Sequence, residues 1–81
     1  MEYYKQLKKL YNSTTTEALQ NNYKRIVKGN RLTAQTLAEL LEVNIQTIYS
    51  YSKSKNYNRI DLINILIIAE YLNIDVFEFF I

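Results

Sequence analysis

The chain of 81 residues carries ten Lys and Arg against eight Asp and Glu, a net charge of +2, with no Cys, no His, no Pro and one Gly. This length is near the lower limit for a self-sufficient core, and the missing Cys and His exclude disulfides, thiolate or imidazole metal ligation and the commonest general base. No apolar run approaches the ~18 residues needed to cross a bilayer, and Tyr and Lys interrupt the opening MEYYKQLKKLYN where a signal peptide needs its apolar stretch. With so little Gly and Pro to turn strands, the expectation is one cytoplasmic all-α domain with no cofactor.

Residues 1–11 read as a short amphipathic helix, with Tyr3, Tyr4, Leu7, Leu10 and Tyr11 near one stripe. The hydroxyl and amide side chains of residues 12–16 break it, which makes 1–13 an N-terminal extension and 14–81 the domain proper. Thr14 and Glu17 form a T-x-x-E capping box, opening a helix that runs to about Lys28 and buries Leu19, Tyr23 and Ile26. Gly29 and Asn30 suit its left-handed end. Thr33 caps a second helix burying Leu37 and Leu41, Glu42 occupies the turn, Val43 plugs the corner, and Asn44 caps a third helix over 44–53 with Ile48 and Tyr51 inward. Residues 54–58 are read as a loop, after which Asn58 or Asp61 caps a helix burying Leu62, Ile65, Leu66, Ile68, Ala69 and Leu72. Asp75 and Glu78 repeat the capping pattern before a last short helix from Val76. That makes five core helices and one extra at the N-terminus.

The stretch LTAQTLAELLEVNIQTIYSYSKSK, residues 32–55, sets two helical patterns around a turn tight enough to read as a helix-turn-helix. Leu32-Thr33, Leu37-Ala38-Glu39, Leu41, Val43, Thr47-Ile48 and Tyr51 resemble the core of that motif in the phage repressor and Cro group, the Xre-type regulators. Leu19, Tyr23 and Ile26 upstream, and Leu62, Ile65, Leu66, Ile68, Ala69, Leu72 and Ile74 downstream, are similar to its first and fourth helices, so the resemblance covers Thr14 to the end. It implies a compact repressor-like domain and a sequence-specific regulator of transcription, a repressor first of all, that reads double-stranded DNA with helix 44–53. Core positions carry most of the match, so it argues fold more strongly than function. The alternative on the same fold is a protein-binding module, an antirepressor or an inhibitor from a mobile element, that does not read DNA. Ala34, where the family usually has a phosphate-binding Gln, Val27, where it has Arg, and Ile45 favour that alternative. The family's Gly is replaced by Glu42, and Ser52 stands where a Glu often follows the aromatic.

With Asn44 as cap, Ile45, Gln46, Tyr49, Ser50 and Lys53 project opposite Ile48 and Tyr51. The resemblance gives base contacts to the positions of Ile45, Gln46 and Ser50. The amide of Gln46 can offer a donor and an acceptor to an adenine edge, Ile45 can pack on a thymine methyl, and Tyr49 can lie along sugar and methyl surfaces. Phosphate anchoring is expected around Thr33, Gln35 and Thr36, at Asn44, and along Lys53, Lys55, Asn56 and Arg59.

Charge is unevenly distributed. All ten cations precede Ile60 against Glu2, Glu17, Glu39 and Glu42, a net +6, whereas Asp61, Glu70, Asp75 and Glu78 leave the remainder at −4. A polyanion is drawn to the first part. Ile63, Ile67 and Tyr71 add an apolar stripe beyond the core face, and with Phe77, Phe80 and Ile81 they form an expected homodimer interface, unless the N-terminal helix folds back over them. Scattered carboxylates without His or Cys argue against an enzyme.

Overall fold

The computed structural model describes residues 2–53 and 59–81, and every regular element among them is helical: α1 (Glu2–Ser13), α2 (Thr16–Gly29), α3 (Ala34–Leu41), α4 (Ile45–Ser50), α5 (Leu62–Leu72) and a C-terminal 3₁₀ helix (Val76–Phe80). The order matches the expected six elements of an all-α domain. No helix among the described residues is long and apolar enough to cross a membrane.

Three of the helices end in the same way. The residues Arg31, Glu42 and Asn73 take left-handed backbone, with φ of 56°, 56° and 55°. In each case the next amide reaches back around the helix end: Leu32 N–H to Val27 O, Val43 N–H to Ala38 O and Ile74 N–H to Ala69 O, at 3.0 Å each. This is the Schellman closure, and the residue after the left-handed one is apolar each time, packing half-buried on the core. None of the three is Gly, so each left-handed residue costs on the order of 1 kcal/mol. Of the expected pair Gly29 and Asn30, Asn30 is the C-cap of α2, though at φ −104° it is not left-handed, and Gly29 lies inside the helix without positive φ. The reversal comes two residues later because the Asn30 side chain donates to Ile26 O at 2.8 Å and prolongs the helix end.

The corner between α1 and α2 also differs from expectation. Thr15, not Thr14, caps α2, accepting from Ala18 N–H at 3.1 Å. Thr14 Oγ1 instead donates to Leu10 O at 2.7 Å and closes α1. Glu17 is thus one place too early for a reciprocal box, although its charge still favours the α2 N-terminus. Asp75 caps the 3₁₀ helix through Phe77 N–H at 3.0 Å, and Asp61 makes no side-chain cap bond to α5.

One core holds the described chain together. Leu19, Tyr23 and Ile26 of α2, Leu37 and Leu41 of α3, Ile48 and Tyr51, Ile65, Ile68 and Ala69 of α5, and Val76 and Phe79 are all buried in it. So is Leu7 of α1, at 0% exposure. The division at residue 13 is therefore not a boundary of packing: α1 packs against the 3₁₀ helix and supplies a core side chain. That 3₁₀ helix is bound to α2 by Asn22 Nδ2 donating to Phe79 O at 2.8 Å and by Arg25 donating to Glu78 O at 3.2 Å.

Candidate nucleic-acid interface

The α3–α4 corner is built by local chemistry. Thr33 Oγ1 accepts from Thr36 N–H at 3.1 Å and donates to Thr36 Oγ1 at 2.9 Å, fixing the first turn of α3. Glu42 and Val43 close its far end. Asn44 Oδ1 then accepts from Gln46 N–H at 2.8 Å to begin α4. Leu37, Leu41 and Ile48 are buried, and residues 46, 49 and 50 fall on the side of α4 away from Ile48, whereas Ile45, three residues before it, shares its face.

Helix α4 is shorter than the expected span of 44–53. It ends at Ser50, and Tyr51 turns inward to an edge-on contact with Tyr23, ring centroids 6.0 Å apart. Ser50 Oγ donates to Thr47 O at 2.6 Å, so its hydroxyl proton serves the helix rather than a base. Gln46 is exposed and Tyr49 is 47% exposed, whereas Ile45 and Ser50 are half-buried. Lys53 lies beyond the helix, and its carbonyl accepts from Gln20 Nε2 at 3.1 Å. Gln20, buried in α2, thereby ties down the chain that leaves α4. Nothing in the sequence singled it out, because a lone Gln in an amphipathic helix normally reads as solvated.

The expected phosphate contacts divide. Thr33, Gln35 and Thr36 stand at the first turn of α3 and Asn44 at the start of α4, with Thr33, Gln35 and Asn44 exposed. Lys55 and Asn56 lie outside the described residues, as does Asn58, one of the two expected caps of α5. Arg59 is employed elsewhere. Its guanidinium donates to Tyr11 O and, at 3.2 Å, to Thr16 Oγ1, and it lies 4.3 Å over the Tyr11 ring. Tyr11 Oη in turn donates to Ile60 O at 2.8 Å. Arg59 is a clasp between the start of α5 and the α1–α2 corner, which corrects its expected role at a phosphate: a half-buried guanidinium with these partners is not a free cation.

Two positions far apart in the sequence come together. Val27 and Ala34 line one groove of about 430 Å³ with Leu32, Tyr49 and Ser52, and Lys24 and Lys28 stand on its α2 side. Tyr23 forms part of its lining. Burial, with the neighbouring Tyr51 as a lesser cause, pushes the Tyr23 hydroxyl up to about 12, and this hydroxyl has no hydrogen-bond partner among the described residues. Burial also raises Tyr51, opposed by a hydrogen bond from Asn64 and reinforced by the charges of Asp61 and Tyr11. Both phenols are neutral parts of the support beneath α4.

The expected dimer residues are unevenly exposed. Ile63, Tyr71 and Ile81 are 61%, 55% and 84% exposed, while Ile67, Phe77 and Phe80 are half-buried. The reason is α1: Tyr3 meets Phe77 edge-on at 5.9 Å, and Tyr3 and Tyr4 line a hollow of about 450 Å³ with Ile63, Leu66 and Ile67. The N-terminal helix packs on the 3₁₀ helix and faces Ile63 and Ile67 only across this hollow, and Tyr71 stays exposed.

Comparison with protein-family models, curated proteins and solved structures finds no match to this chain.

Proposed function

We propose that the protein is a sequence-specific DNA-binding regulator of transcription that reads the major groove with α4. The observation that carries this reading is the combination at α4 of exposed Gln46 and Tyr49 on its outer side with a fixed position at both ends, through Asn44 and through Gln20 to Lys53. A short helix held this way can present an amide to base edges without first being ordered, and ordering costs affinity. The net +6 of the chain before Ile60 supplies the long-range attraction.

Two copies joined through the α1–α5 side, with Ile63 and Tyr71 at the contact, would leave both α4 helices free for major-groove faces ~34 Å apart. The support is the exposed apolar surface that α1 leaves uncovered.

Selection from a random duplex pool at low salt tests the reading. A recovered consensus with affinity that falls steeply with salt is the expected result. Gln46→Ala then loses about 1–3 kcal/mol of discrimination at one base pair while keeping its general affinity. A pool that yields no consensus, or an unchanged cognate-to-scrambled ratio in Gln46→Ala, rejects it.

A further inference from the structure

We infer that the groove between α2 and α4 is a docking site for a protein segment carrying an apolar side chain flanked by carboxylates, and that its occupation closes the DNA-reading side. The inference rests on the reading above for its second half and stands on the groove itself for its first.

The lining decides the occupant. Val27, Leu32 and Ala34 make the floor apolar, and Tyr49 and Ser52 bound it along the α4 side. A sugar-phosphate strand cannot desolvate such a floor favourably, because its own surface there is charged and must stay hydrated. An aliphatic or aromatic side chain of a protein can. Lys24 and Lys28, one helical turn apart and both exposed, stand at the rim, and no carboxylate among the described residues lines the groove. That charge favours Asp or Glu beside the inserted side chain and disfavours a basic partner. The remaining cation of α2, Arg25, does not compete, since it is bound to the 3₁₀ helix. Because Tyr49 belongs both to the groove wall and to the exposed side of α4, a segment seated here meets the same side chain that DNA would.

The experiment uses the full chain and a short helical peptide with one Leu or Phe between Glu residues, with two controls, Glu→Gln and Leu→Ser. In ¹⁵N-resolved NMR titration the Glu peptide is expected to shift the amides of Val27, Leu32, Ala34 and Ser52. Each control peptide, and the protein variant Lys24→Gln with Lys28→Gln, is expected to weaken binding at least about tenfold. The variant changes only exposed side chains, so circular dichroism should match the parent. Indifference to peptide charge, or shifts confined to α1 and α5, overturns the docking site. A selected duplex is then added. Displacement of peptide by DNA supports the closure, and simultaneous binding of both overturns it. A peptide that binds while no duplex does leaves the groove standing and sinks the DNA reading alone. Loss of DNA binding in the lysine variant, with no peptide bound by the parent, makes the groove a phosphate seat and overturns the proposal.

Discussion

The α3–α4 corner and the α1–α5 seam solve the same problem of a small core with opposite materials. At the corner, Thr33, Glu42, Val43 and Asn44 close the helix ends within a few residues, and Gln46 stands outward on α4 beside the groove that Val27, Leu32 and Ala34 line. At the seam, α5 is apolar on nearly all sides, and α1 can shield only part of it, leaving Ile63 and Tyr71 in water. The difference teaches where to look for partners. An outward amide on a fixed helix suits recognition of polar edges, whereas an exposed apolar stripe suits burial against another protein.

The comparison breaks most easily at Leu7. If α1 is a true member of the core, Leu7→Ala costs about 2–5 kcal/mol, read as a lower urea midpoint for the whole domain. A midpoint equal to the parent's would make α1 a dispensable cover and leave α5 far more exposed than described.

Tyr23 sharpens the other side. An ordinary tyrosine ionises near 10 and this one is held neutral up to about 12, so the folded state binds the proton more tightly than the unfolded state. Its contribution is therefore complete below pH 10 and lost as pH rises from 10 to 12. The loss amounts to about 2–3 kcal/mol. Tyr23→Phe should flatten that decline and leave neutral-pH stability equal or about 1 kcal/mol higher, since it also removes a buried hydroxyl without a partner among the described residues. Alkaline unfolding curves that superimpose for parent and variant would contradict this.

Arg59 ties the seam to the rest through Tyr11 and Thr16. Arg59→Ala should cost about 1–2 kcal/mol from two hydrogen bonds and a cation–π contact, while the salt dependence of DNA binding keeps its slope. A flattened slope at unchanged stability would return Arg59 to the phosphate role.

The smallest effect on folding is expected at Ile63. Replacing an exposed side chain should change stability by less than about 0.5 kcal/mol, yet Ile63→Asp should convert a dimer into a monomer in sedimentation. A variant that stays dimeric moves the interface away from the α5 stripe.

How much was legible beforehand depended on how local the cause was. Thr33, Glu42 and Asn44 could be assigned from the chain because caps and left-handed turns are settled by a few neighbouring residues. So could Leu37, Leu41, Ile48 and Tyr51, whose spacing fits one buried stripe. The α2 ends were misplaced by one or two residues because three successive threonines, and an Asn after a Gly, offer competing caps of nearly equal energy. The site residues fared less evenly. Gln46 and Tyr49 stand outward as their positions implied, but Ser50 is turned back to its own helix and Arg59 to a partner 48 residues away.

The sequence by itself determined the helical class, the order of the elements, the corner and the inward stripe, because periodicity and capping act over a turn or two of helix. Only the tertiary structure decided that α1 lends Leu7 to the core, that Gln20 ties down the chain that leaves α4, that Arg59 is a clasp, and that Val27 and Ala34 share one groove. Each of those joins residues far apart in the chain, and no local preference encodes such a meeting: it follows from which surfaces remain unburied once the helices have packed.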